Sequence, residues 1–271
     1  MKNLNSITML LALLIVLMGC KKETKITECT FSYAPWAACD NGIQTRMGTA
    51  NSTGCSGTPP SDSLKKNCST TITDLDGNSY GIKLIGNQTW TTKNLNVSKY
   101  RTGDLIPQVQ DPTLWDNLTT GAWCYYENNS ANGTIYGKLY NWYAVTDSRG
   151  LAPTGYHIPN NSEFMTLINY LGGVQVAGGK MKESGLSHWL APNVEATNSS
   201  GFSALPGGGR VFQGTFAGIQ NDGSFWSRSN WNLEPVPFYG FNCIGTYYDD
   251  EFSALNGIDD QNGISVRCIK D

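Results

Sequence analysis

Apolar residues recur with two different periods along the chain, and the change of period marks out its parts. Between Tyr136 and Gly173 the period is helical. Asn160 is a good N-cap with Glu163 three residues on, the spacing of a capping box. Phe164, Leu167, Ile168 and Leu171 then fall at i, i+3, i+4 and i+7, and Gly172-Gly173 supplies a stop. Leu139, Trp142, Tyr143 and Thr146 form a shorter stripe with the same period. The pattern predicts two helices joined by a Pro/Gly-rich loop. From Thr70 to Leu95 the period is two: Tyr80, Ile82 and Leu84 alternate with Gly81 and Lys83, between hairpin signals at Asp76-Gly77 and Gly86-Asn87. Ala122-Trp123-Cys124-Tyr125-Tyr126 reads as a core strand. The chain beyond Gly173 is too rich in Gly, Asn and Ser to promise further helix. The expected fold class is therefore α+β, two helices carrying a loop-rich antiparallel sheet.

The N-terminal part has neither period. Lys2 precedes a short apolar run, Ile7 to Met18, too short to span a bilayer and laid out like a signal peptide. Cys29, Cys39, Cys55 and Cys68 then lie in a Thr/Ser/Gly/Pro-rich stretch, which reads as a disulfide framework; the close cysteine pairs of a zinc site are absent. Spacing leaves three pairings open. Cys124, Cys243 and Cys268 remain, enough for one bond and one odd thiol. Sequence proximity favours Cys243–Cys268, though spacing does not decide connectivity. The 271 residues carry a net charge of -3 and show no basic stripe, so nucleic acid is excluded as a partner. Two histidines in the whole chain argue against a His-rich metal enzyme.

Three stretches resemble known families. Leu17-Met18-Gly19-Cys20 closes the apolar run and resembles the lipobox of a bacterial lipoprotein. That resemblance implies cleavage before Cys20, acylation of its thiol and a membrane partner reached through the lipid. Lys21-Lys22-Glu23 is similar to the surface-export signal of Bacteroidota lipoproteins. Trp36-Ala37-Ala38-Cys39, Gly42, Gln44-Thr45-Arg46, Cys55-Ser56-Gly57 and Cys68 resemble a thrombospondin type-1 repeat. This implies bonds Cys29–Cys55 and Cys39–Cys68 and one cation–π layer between Trp36 and Arg46. The sequence departs from that family in lacking two of its usual six cysteines and its further Trp and Arg layers.

From Thr70 onward many landmarks appear in order. They include Asp74-Leu75-Asp76-Gly77-Asn78, Tyr136-Gly137-Lys138-Leu139-Tyr140-Asn141-Trp142, Gly155-Tyr156-His157, Gly201-Phe202-Ser203-Ala204-Leu205-Pro206-Gly207-Gly208 and Ser265-Val266-Arg267-Cys268. They resemble the Fibrobacter succinogenes major paralogous domain. The resemblance implies a C-type-lectin-like fold, akin to the sulfatase-modifying factors, and a Cys124–Cys268 bond, because those two cysteines sit in recurring motifs. It brings no established activity. The expected organisation is a signal peptide over 1–19, a lipid-anchored linker over 20–28, a disulfide module over 29–68 and the main domain over 69–271.

Catalytic motifs are absent: there is no H-E-x-x-H, G-x-S-x-G or C-x-x-C. His157 reads as a structural hydrogen-bonder and Asp74 to Asn78 as a turn. Trp189, Trp231, Tyr247 and Tyr248, in polar segments, are the candidate ligand face, with Trp115 a further loop aromatic. Asp249, Asp250 and Asp259 come from the densest acidic patches and are a candidate Ca2+ site. The reading is a non-enzymatic protein of the bacterial outer membrane that binds a glycan or a surface protein. The alternatives are an enzyme of unknown type on the same fold, or a structural surface component. Cys20→Ser should release the protein from membranes or block its maturation. Unchanged membrane partition, with no labelling of the wild type by a palmitate analogue, refutes the anchor.

Overall fold

The computed structural model describes residues 29–37, 43–51, 58–67, 69–229 and 243–271. The expected signal peptide, Cys20 and the linker lie outside these residues, as do Cys39, Cys55, Cys68 and Trp231.

The small N-terminal module is made of short strands: β1 (Phe31–Tyr33), β2 (Ile43–Thr45) and β3 (Gly48–Ala50), then one helical turn, α1 (Ser61–Leu64), and β4 (Lys65–Asn67). β1 pairs with β3 and β2 with β4, all antiparallel. With so little core, side-chain stacking matters. The Arg46 guanidinium lies 4.1 Å from the Tyr33 ring and 4.3 Å from the Trp36 ring, and Lys66 covers Trp36 at 4.6 Å. The expected Trp36–Arg46 layer is present, and it is extended at both ends. Arg46 Nε also donates to Ser63 O, tying the stack to α1. Cys29 is disulfide-bonded.

The main domain opens with the meander β5 (Thr71–Thr73), β6 (Ser79–Ile85) and β7 (Gln88–Thr91). The β5–β6 turn is held by Asp74, whose Oδ1 accepts from the backbones of Asp76 and Asn78, each at 2.9 Å. Gly86, at φ 61°, and Asn87 make the β6–β7 hairpin. After α2 (Pro112–Asp116), β8 (Trp123–Cys124) pairs with β9 (Leu139–Tyr140) across α3 (Ser130–Tyr136).

Of the two predicted helices, one forms as expected. α4 (Trp142–Val145) is a single turn, because Asn141 caps it with an Oδ1 that accepts from Ala144 N, while Leu139 and Tyr140 are taken by strand pairing. β10 (Tyr156–His157) leads to α5 (Asn161–Tyr170), which has the full capping box of Asn160 and Glu163 and buries Phe164, Leu167 and Ile168. α6 (Val174–Met181) runs against expectation through Gly178 and Gly179. Packing explains those glycines: a Cβ on Gly178 would lie 2.1 Å from Phe252 O, and one on Gly179 2.6 Å from Glu195 O. Helix propensity yields here to close approach of a neighbouring backbone.

The hairpin β11 (Gly207–Val211)/β12 (Thr215–Ile219) and the three strands β13 (Asp222–Trp226), β14 (Cys243–Tyr247) and β15 (Ser253–Asn256) follow. The last strand, β16 (Ile269–Lys270), enters the first sheet between β7 and β10, giving the order β10-β16-β7-β6-β5. The chain is thus α+β with antiparallel pairing in its sheets.

Cys124, Cys243 and Cys268 are buried free thiols, so neither Cys124–Cys268 nor Cys243–Cys268 is bonded. The pleat of β8 gives a reason for the first. Trp123 and Tyr140 face the core that holds Cys268, whereas Cys124 and Leu139 face a different cluster with Trp115 and Tyr126. Burial pushes each of the three thiols up to about 12.

Among the described residues three cations are fully buried: Lys182, Arg210 and Arg267. Arg267 donates to Thr91 O, Phe202 O, Ser203 O and Asn94 Oδ1 at 2.6–2.8 Å and lies 4.6 Å from the Phe202 ring. Arg210 donates to Val109 O, Gln110 O and Gly214 O between the rings of Trp115 and Phe216. Lys182 Nζ donates to Val194 O, Tyr247 O and Asp250 O.

Arg267→Met should cost at least about 3 kcal/mol in urea unfolding, because it orphans several buried acceptors together; a loss below about 1 kcal/mol would contradict the role given to this side chain. Lys182 supplies a pH test. Burial lowers its ammonium from 10.5 to about 8. Between those values the unfolded chain binds more protons than the native one, so this group makes stability rise with pH and level off above the window. The stability difference, wild type minus Lys182→Met, should therefore grow between about pH 8 and pH 10.5. A flat difference refutes a depressed Lys182.

Candidate functional site

At one end of the first sheet a cleft of about 380 Å³ opens between the loop after α4 and the start of α5. Its walls are fixed by local chemistry. After α4 the chain turns at Asp147, which accepts from the Arg149 backbone N–H at 2.9 Å and from its guanidinium at 2.7 and 2.9 Å. Those hydrogen bonds hold the Asp147 carboxyl down at about 2. Arg149 in turn lies 4.0 Å from the Tyr100 ring. Gly150, at φ 79°, lets the Arg101 side chain cross within van der Waals distance.

Arg101 is clamped along the loop. Its backbone N–H donates to Gly150 O at 2.7 Å, its Nε to Ala152 O at 3.2 Å and its Nη2 to Tyr156 O at 2.8 Å. Nε and Nη2 carry these side-chain bonds, and Arg101 has no ion pair among the described residues. His157 forms the next part of the wall. Its Nδ1 lies 2.7 Å from Asp271 and its Nε2 2.8 Å from Glu163. His157 therefore staples the last residue of the chain to the capping box of α5, the structural role expected for it.

Arg228 completes the rim. Its backbone donates to Pro159 O at 2.9 Å. Ser227 Oγ donates to Asn161 Oδ1 at 2.7 Å on one side, and Ser229 Oγ accepts from Asn161 N at 3.1 Å on the other. The main chain is pinned, while the guanidinium is exposed and without a partner among the described residues. Val145, Leu151, Ala152 and Ile158 supply a largely buried aliphatic floor. The cleft thus offers one clamped guanidinium group, a second on a pinned main chain, a carboxylate and an apolar base.

Of the residues expected to form a ligand face, the described ones, Trp189, Tyr247 and Tyr248, do not line this cleft. Trp189 is 2% exposed, with its Nε1 donating to Ala204 O, and Trp115 is 1% exposed, with its Nε1 donating to Gln261 O. Both are core residues that reach the polar segments only through their indole N–H. Tyr247 lies in β14 and accepts at its hydroxyl from Asn256, while Tyr248 is fixed by backbone bonds to Asn221 and Val194. The acidic residues serve separate turns. Asp250 accepts from Phe252 N and gives its carbonyl to Lys182, whereas Asp259 closes a turn with Asn262. Among the described residues no group of three His, Cys, Asp or Glu side chains is placed to hold a metal ion.

Arg101, Asp147 and Arg228 were not singled out by sequence reasoning. They are far apart in the chain, and none belongs to a periodic or short motif. The nearest signal was the Gly155-Tyr156-His157 landmark beside them.

A family model described as the Fibrobacter succinogenes major domain matches residues 84–270, which include Arg101, His157, Arg228 and all three buried cations. No curated protein and no solved structure matches the chain. The match spans well over half of the sequence, and the chain belongs to the Fibrobacter succinogenes major domain family.

Proposed function

We propose that this chain is a lipid-anchored protein of the bacterial outer membrane, held through Cys20, whose main domain binds glycans without turning them over. In this reading the domain is C-type-lectin-like, and the N-terminal module is a reduced relative of the thrombospondin type-1 repeat that serves as a stalk. The lipobox-like Leu17-Met18-Gly19-Cys20 supports the anchor. The Tyr33–Arg46–Trp36–Lys66 stack supports the likeness of the module.

The cleft beside His157 carries the binding reading. Its volume of about 380 Å³ lies in the range of small-molecule sites, roughly 300–1,000 Å³. Arg101 is positioned by bonds to main-chain carbonyls and Asp147 by Arg149, so little ordering of these two groups is left for a ligand to impose. Asp147 is engaged by Arg149 and both ring nitrogens of His157 are taken by carboxylates, an arrangement better suited to a fixed wall than to a catalytic group.

A glycan array probed with the full chain tests this. Saturable retention of an oligosaccharide is expected, and Ser148→Trp, which fills the exposed rim of the cleft, should abolish it while leaving the melting temperature unchanged. Retention of no glycan, or consumption of the retained one, overturns the reading.

A further inference from the structure

We propose that the ligand of the His157 cleft is an acidic sugar, a hexuronate residue whose carboxylate sits between Arg101 and Arg228. The inference rests on the binding reading of this cleft and narrows it to one chemical class.

Charge around the cleft is the first argument. His157 lies between Glu163 and Asp271, at 2.8 and 2.7 Å, and Asp147 is matched by Arg149 at 2.7 Å. Asp147 is thus matched by a cation inside the protein, and the two carboxylates beside His157 are taken up by hydrogen bonds to its ring. Arg101 and Arg228 have no ion pair among the described residues, and both line the cleft. Two uncompensated guanidinium groups facing one space favour an anion, and their planar forks match a carboxylate. Arg101 presents its free edge with its other N–H groups already spent on Ala152 O and Tyr156 O, so its direction is set before any ligand arrives.

The other groups choose among anions. The Asp147 carboxylate is a strong acceptor in the same wall. It repels a compact dianion such as phosphate, but it can accept from hydroxyl groups placed beyond the ligand's own charge. On the exposed rim Ser148 adds a hydroxyl that donates or accepts, and Thr146, whose Oγ1 donates to Trp142 O, adds an acceptor. The floor of Val145, Leu151 and Ile158 suits the C–H face of a ring. No Phe, Tyr or Trp is among the described lining residues, so the broad platform on which neutral sugars commonly stack is not what this cleft provides. A ring with one carboxylate, several hydroxyls and an apolar face meets all of these groups at once.

Titration calorimetry on the full chain decides the matter, with oligogalacturonate, the same oligosaccharide after carboxyl reduction, and inorganic phosphate as separate probes. Oligogalacturonate should bind at least tenfold more tightly than the reduced form and than phosphate. Arg228→Ala should weaken it at least tenfold with an unchanged melting temperature, since that side chain has no partner to lose. Arg101→Gln should weaken it as well. Equal binding of the reduced oligosaccharide overturns acid selectivity while leaving a glycan-binding cleft in place. Phosphate binding as tightly as the uronate makes the cleft a simple anion site and overturns the proposal. An unchanged affinity in Arg228→Ala places the ligand elsewhere. Failure of every oligosaccharide to bind removes this inference; a glycan array that also retains nothing removes the reading on which it rests.

Discussion

The segment from Gly263 to Asp271 is the constraint on which the rest of the domain depends. Its backbone pairs in turn with Arg210, Tyr140 and Phe225, then bonds to Leu95 and Thr91, then runs between Trp90 and His157, and ends on Gly155. Alternation does the rest: Ile264, Val266 and Cys268 enter one core, while Arg267 points the other way beneath Phe202 and Phe225. Every sheet of the main domain with a partner in this segment is separated from it by a long stretch of chain. The segment supplies both the strand that joins β7 to β10 and the cation that seals the opposite face. Contacts between segments so far apart in the chain are intrinsically slow to form, because loop-closure entropy is lost before they reward it.

The buried cations belong to the same logic. A loop-rich domain leaves many carbonyls without a ladder partner, and each buried one must find a donor. Lys182, Arg210 and Arg267 satisfy three main-chain carbonyls apiece, from segments remote in sequence. Fixed amide dipoles and aromatic faces replace a counter-ion, and these multi-donor groups gather irregular backbone as a strand would. This explains how a chain with short strands and few helices still holds Trp90, Phe164, Phe202 and Phe225 in contact, with ring centroids 5.3–5.7 Å apart.

What was legible in the sequence follows from range. α5, its capping box and its glycine stop are local, and so are the Asp74 turn, the Gly86-Asn87 hairpin and the Trp36–Arg46 stack; each was readable. α6 was not, because Gly178 and Gly179 are set by the backbone of Phe252 and Glu195, distant in sequence. Trp189 lies among Ser, His and Pro and looks like a loop aromatic, yet it fills the core. Cys124 and Cys268 share recurring motifs, but pleating sends them to different clusters. The cleft was the least legible part, since Arg101, Asp147 and Arg228 converge only through tertiary structure.

The contrast between two kinds of arginine links fold to function. Arg210 and Arg267 are fully buried, and every donor they use is tied to the frame, so changing either disturbs several segments at once. Arg228 has a pinned main chain and a head without a partner among the described residues, so its replacement removes no bond among those residues from the frame. Arg101 is intermediate: part of its guanidinium orders the 150–156 loop, and part is left for a ligand. The groups that face the cleft are therefore the ones the scaffold can exchange at least cost. A fold held by buried cations and a C-terminal strand can keep its frame while its rim chemistry changes, which makes the exposed head groups of the cleft the place where ligand preference is set.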